Sequence, residues 1–182
     1  MLTNLPLEVQ AVLVVIVVTA GIYDFRYRKI PNWLVLVGLV VGFGLNTFLF
    51  GLTGLARSAE GMGLALLIYF PLYLLRAMGA GDAKLMAAVG AIAGWGDWLA
   101  IFVLTAIIGG VLAVIALLFA GRIRKTFWNI GWILNEILHF RAPYQSSGEL
   151  DVRSSQGMRM PHGVAIALGS IAFLVVRAIW VK

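Results

Sequence analysis

Apolar positions along this chain fall in unbroken blocks, not in the alternating or three-to-four spacing of half-buried elements. Residues 30–56 (27 positions), 98–121 (24) and 160–176 (17) contain no Asp, Glu, Lys or Arg. About 20 apolar residues carry a helix across a bilayer core of roughly 30 Å. The pattern therefore predicts membrane-spanning helices over 6–23, 31–50, 61–75, 83–96, 98–120 and 161–181. The fourth is the weakest. Its 12 charge-free residues, 85–96, make only about 18 Å of helix, so a re-entrant segment is the alternative there. The first block is apolar like a secretory signal but lacks a basic n-region, Glu8 being its only charge, and is read as a retained span.

Charge decides between five and six crossings. With six, one side of the membrane receives 11 of the 14 basic residues: Arg26, Arg28, Lys29, Arg76, Lys84, Arg122, Arg124, Lys125, Arg141, Arg153 and Arg159. Arg57, Arg177 and Lys182 stay on the other. If the fourth block did not cross, the basic stretch 121–159 would oppose Arg26–Lys29 and the positive-inside asymmetry would be divided. The expected fold is thus all-α and polytopic: six transmembrane helices in one membrane-embedded domain, 1–182, with both termini outside. The long inner connection, 121–159, carries an aromatic half, 125–140, that suits an interfacial helix between the fifth and sixth spans.

Composition narrows the chemistry. Of 182 residues, 62% are apolar and 12% charged, against roughly 45–50% apolar in soluble domains, which excludes a soluble globular domain. The absence of cysteine excludes disulfide scaffolds and thiolate zinc sites. On this background the net charge of +6 reports topology, not nucleic-acid binding. Gly38-x-x-x-Gly42 and Gly90-x-x-x-Gly94 have helix-packing spacing and are read as close contacts within the bundle.

Ionisable groups at membrane depth are the first functional candidates, because burying them costs several kcal/mol. Of eight acids, Glu8, Glu60 and Asp97 fall on the outer side, and Glu136, Glu149 and Asp151 in the long inner connection. Asp24, leaving the first span, and Asp82, beginning the fourth, remain. Both lie at the inner face, where they form a candidate acid/base pair. The structural alternatives are neutralisation of Asp24 by Arg26 or Arg28, and an N-cap role for Asp82. The local sequence Gly79-Ala80-Gly81-Asp82 favours more than a cap, since two glycines leave room for close backbone approach or an extended peptide. His139 and His162 lack the His-Glu-x-x-His context of a zinc protease. Ser170 and His162 are about 12 Å apart along one helix and cannot pair.

Asp24-Phe-Arg-Tyr-Arg-Lys-Ile-Pro31-Asn32 and Met78-Gly-Ala-Gly-Asp82-Ala-Lys84-Leu85 resemble the two signature motifs of prepilin peptidases, the GxGD-type aspartyl proteases. Met160-Pro-His-Gly-Val-Ala-Ile-Ala-Leu-Gly169 is similar to that family's start of the last span. The resemblance implies removal of basic leader peptides from prepilins or pseudopilins at the cytoplasmic face of a bacterial inner membrane. It assigns catalysis to Asp24 and Asp82, with Gly79, Gly81, Pro31 and Asn32 as supporting positions and no metal or cofactor. Longer relatives carry a Cys-x-x-Cys insert and N-methylate the product. Here only six residues separate Asp24 from Pro31, which speaks against methyltransferase activity. The compact form is most similar to peptidases of Flp (tight-adherence) pilus systems, ahead of archaeal preflagellin peptidases. The expected partners are the substrate and the bilayer, with homo-oligomerisation open and no nucleic acid.

Two carboxylates in one site cannot both ionise easily, so one must hold its proton towards neutral pH. Helix dipoles favour charge on Asp82, at a helix start, over Asp24, near a helix end; Asp82 is therefore expected to be the base. Two other classes compete: a small transporter or channel subunit with both acids as ion-coupling groups, and a non-catalytic pilus or secretion assembly protein.

Overall fold

The structure is a computed structural model and describes residues 5–75, 78–120 and 161–180. Those residues are all helical, with no strand among them: α1 (Leu7–Tyr27), α2 (Asn32–Leu74), α3 (Ala80–Ala93), α4 (Trp95–Ala120) and α5 (His162–Trp180). The expected interfacial helix at 125–140 lies outside the described residues. α1, α2, α4 and α5 are long and apolar enough to cross a membrane. Their outward faces carry large apolar side chains such as Phe48, Leu52, Phe119 and Trp180, each more than 80% exposed. Lipid, not water, suits such a surface.

α2 is 43 residues long but is not one rod. At Gly51 the backbone takes φ 63°, ψ −142°, a conformation that costs glycine little, and the chain reverses there. Asn46 Nδ2 donates to Ser58 Oγ at 2.9 Å, and Gly54 lies against the Asn46 carbonyl. In a straight helix residues 46 and 58 would stand about 18 Å apart. The loop expected over 51–60 is therefore helix, with the reversal compressed into one glycine. Arg57 and Glu60, which suggested an exposed connection, sit on the second arm.

α3 packs chiefly against α2, and α5 against α1 and α4. Both Gly-x-x-x-Gly pairs serve the α2–α3 contact. A Cβ on Gly42 would stand 2.9 Å from Ile92 Cγ1, and Gly90 meets the Gly61 backbone directly. Such small-residue seams let helices approach where water exclusion supplies no force.

α3 spans only 14 residues, and its last turn, Ala91–Ala93, is buried. A helix end leaves its last carbonyls unpaired, which hydrocarbon does not tolerate. Buried polar side chains of α2 answer this. Asn46, 1% exposed, donates to the carbonyls of Ala91 and Ile92, both at 3.0 Å. Arg57 Nη2 donates to the Ala93 carbonyl at 3.1 Å, and Gly94 N–H to Gly90 at 2.8 Å. Arg57 also places positive charge at the negative end of the helix dipole. Asp97 then receives Arg57 at 3.1 Å and Arg177 at 2.7 Å. Asn46→Leu leaves two helix-end carbonyls without this donor and should lower unfolding free energy by about 2 kcal/mol, read from an SDS titration in mixed micelles.

Candidate active site

Asp24 lies in the last turn of α1 and is buried, 7% exposed. α1 stops just beyond it because Arg28 adopts the left-handed region (φ 54°) and its N–H donates to the Asp24 carbonyl at 2.9 Å. Pro31 then caps α2 in extended conformation. The Asp24 side chain is held from elsewhere: Gly163 N–H, in the first turn of α5, donates to its Oδ2 at 2.7 Å. First-turn N–H groups have no partner within their own helix, so this donor is free to serve Asp24. Residue 163 has to be small. A Cβ there would stand 2.9 Å from Asp24 Cβ and 3.0 Å from Oδ2. One turn away, Gly21 lets Ala167 approach to 3.1 Å of where its own Cβ would be. His162 is within electrostatic reach of Asp24.

Asp82 is not the N-cap of α3. Gly79 holds that position, and Asp82 is the third helical residue, reaching back to accept a hydrogen bond from the Gly79 backbone. This is the return half of a capping box. Asp82 is half-buried and precedes the apolar stretch 83–96. Burial first, then the charge of Asp24, pushes its carboxyl up to about 7 against the opposing Gly79 hydrogen bond. That burial works against charge on Asp82, opposite to the preference of its own helix dipole. The expectation that Asp82 is the base weighed only the helix each acid belongs to. Asp24 also faces the N-terminal turn of α5, whose dipole and N–H favour an anion there.

The three segments singled out in sequence converge at this end of the bundle. Ile30 packs at 3.4 Å from where a Gly81 Cβ would lie. Lys84, exposed, donates to Asn32 Oδ1 at 3.1 Å, so its ammonium is turned to the 28–32 turn. Gly163 brings in the third. Among the described acids only Asp24 and Asp82 are here. Asp97 lies at the far end of α3 with Arg57 and Arg177, and Glu8 at the other end of α1. Ser170 bonds its own helix at Ile166 (2.8 Å), apart from His162. No cluster of three His, Asp or Glu able to hold a metal occurs among the described residues. An apolar groove of about 610 Å³ borders the site between α1 and α5, lined by Val18, Gly21, Ile22, Phe25, Val164 and Leu168 among others.

Gly163 entered the sequence analysis only inside the segment 160–169, without a role of its own, and Tyr69 did not enter it. Tyr69 of α2 is buried, edge-on to Trp98 and Phe102, and within electrostatic reach of Asp82. The available signal for Gly163 was a glycine directly following Pro161-His162 at the start of an apolar block; nothing local marked Tyr69.

A sequence model of the type IV leader peptidase family matches residues 11–114. The match covers more than half of the chain, takes in Asp24 and Asp82, and stops short of α5. No curated protein and no solved structure matches. On the family match, the chain belongs to the type IV leader peptidases.

Proposed function

We propose that this chain is an aspartic endopeptidase that removes basic leader peptides from prepilins at the cytoplasmic face of a bacterial inner membrane, by way of Asp24 and Asp82. The supporting observation is the meeting of 24–32, 78–85 and 161–169 at one end of the bundle around two carboxylates close enough for one to act on the other. The six-crossing arrangement with outer termini fits it. The Asp24/Asp82 end receives Arg26, Arg28, Lys29 and Lys84, while Arg57 and Arg177 gather with Asp97 at the other end.

The chemistry follows from one shared proton. Ionised Asp24 takes a proton from water as the oxygen attacks the scissile carbonyl, and Asp82 donates its proton to the carbonyl oxygen. The tetrahedral diol collapses as the proton held by Asp24 passes to the leaving amine and a diol hydroxyl returns its proton to Asp82, which separates leader from pilin as a carboxylic acid and restores the pair. A substrate helix must unwind before this can happen, since its amides are otherwise internally bonded. An apolar segment lying in the α1–α5 groove would present its end to the pair. The absence of cysteine and the short 24–31 connection favour cleavage without N-methylation, as in the compact Flp-type enzymes.

Co-expression with a candidate Flp prepilin tests the proposal: a faster-migrating pilin of the mass expected after leader removal supports it, and an unprocessed precursor beside properly inserted enzyme rejects it. The pH dependence is a second test. Asp82 works only while protonated, and its carboxyl titrates at about 7. The kcat/KM for a leader peptide should therefore fall as pH rises through about 7, where an ordinary carboxyl would already be lost near 4. A profile flat from pH 6 to 9 would contradict the acid role.

A further inference from the structure

We infer that Gly163 is a positioning residue whose backbone N–H fixes Asp24 as the proton-accepting member of the pair. The inference rests on the two-carboxylate reading above and deepens it, because it assigns the direction of proton transfer to a residue with no side chain.

Three observations carry it. Gly163 N–H donates to Asp24 Oδ2 at 2.7 Å, from a residue 139 positions away in sequence. The donor is a first-turn N–H of α5, which the helix itself does not use. And any side chain at 163 would collide with the carboxylate it serves, at 2.9–3.2 Å from three Asp24 atoms. A hydrogen bond to a charged acceptor is stronger than one to a neutral acceptor, so this contact selects ionised Asp24, and the shared proton goes to Asp82. Among the described residues, the hydrogen bond that favours charge on Asp82 comes from the Gly79 backbone of its own helix start.

The charged and titratable groups around the pair come from each neighbouring element. α5 contributes His162, near Asp24. α3 contributes Asp82 and Lys84, the latter engaged with Asn32. α2 contributes Tyr69, near Asp82. The single acid of α4, Asp97, is at the opposite end. α1 itself carries Arg26 in its last turn, over the Tyr27 ring, and Arg28 is its C-cap.

Replacing the amide between His162 and Gly163 by an ester, through cell-free incorporation of glycolic acid at 163, deletes the N–H and adds no atoms. The measurement is the pH profile of kcat/KM on a leader peptide with the enzyme in nanodiscs. The acid limb, which reports proton uptake by the pair as a unit, should move up by roughly one to two pH units, so kcat should fall about ten- to a hundredfold at pH values on that limb with KM little changed. A control ester at 164 removes the Val164 N–H that donates to the Pro161 carbonyl at 3.2 Å; it weakens the same helix start and should leave the limb in place. Repeating the comparison in His162→Gln separates the limb from the imidazole. An unmoved acid limb in the 163 ester, or an equal shift in the 164 ester, overturns the inference. Cleavage surviving in Asp24→Asn or Asp82→Asn would instead overturn the two-carboxylate reading beneath it.

Discussion

Asp24→Asn and Asp82→Asn should each lower leader cleavage by at least about a thousandfold while the protein inserts and folds as before. General acid–base groups contribute about 10²–10⁴ in rate individually, and here each depends on the other for the shared proton. Residues acting as a unit are strongly non-additive, so the double variant should be no slower than the worse single one. The substitutions are mild structurally. Asn at 24 keeps an oxygen to accept the Gly163 N–H, and Asn at 82 keeps one for Gly79. Loss of cleavage with an unchanged unfolding midpoint would therefore report chemistry. The same pair of variants separates the competing functions: a transporter would lose ion flux without ever processing a prepilin, and an assembly protein would lose little. Cleavage retained in either single variant ends the proposal.

The largest expected stability change lies at the opposite end. Asp97, 8% exposed, accepts Arg177 (also 8% exposed) at 2.7 Å and Arg57 at 3.1 Å. Removing one partner from a buried charge cluster leaves charge uncompensated, and costs about 3–5 kcal/mol. Asp97→Ala should thus destabilise the protein by that order, with Asp97→Asn milder because one acceptor remains. Arg177→Ala should cost more than Arg57→Ala, since the Arg57 side chain is 29% exposed and solvent screens its pair. SDS-induced unfolding in mixed micelles measures all four. Equal stability of Asp97→Ala and wild type would refute the cluster's role. The fraction of active enzyme should track stability, because this cluster anchors the end of α3 whose other end carries Asp82.

Much of the site was readable in one dimension. Asp24 and Asp82 stood out because charge at the edge of a long apolar block is costly wherever the block folds, and that cost is visible in sequence. The family match over 11–114 agrees with where those residues fall. The N-cap alternative for Asp82 failed by one turn: Gly79 starts the helix, and Asp82 bonds back to it. The assignment of Asp82 as base weighed only the helix that each acid belongs to. A helix dipole can be inferred from the acid's own helix, whereas α5 arriving at Asp24 with a free N–H is a contact across 139 residues.

What the sequence determined by itself was the class of solvent around each segment, the membrane-scale lengths, and the two acids at the edges of apolar blocks that make up the candidate pair. These follow from the transfer cost of each side chain, which is a local property. Tertiary structure alone decided three things. The chain reverses at Gly51 without a loop. α3 is permitted to stop short, because Asn46 and Arg57 satisfy its last carbonyls. A backbone N–H from the last helix reaches the Asp24 carboxylate. The last two are pairings of polar groups far apart in the chain, and inside lipid such pairing, not hydrophobicity, is what distinguishes one packing from another.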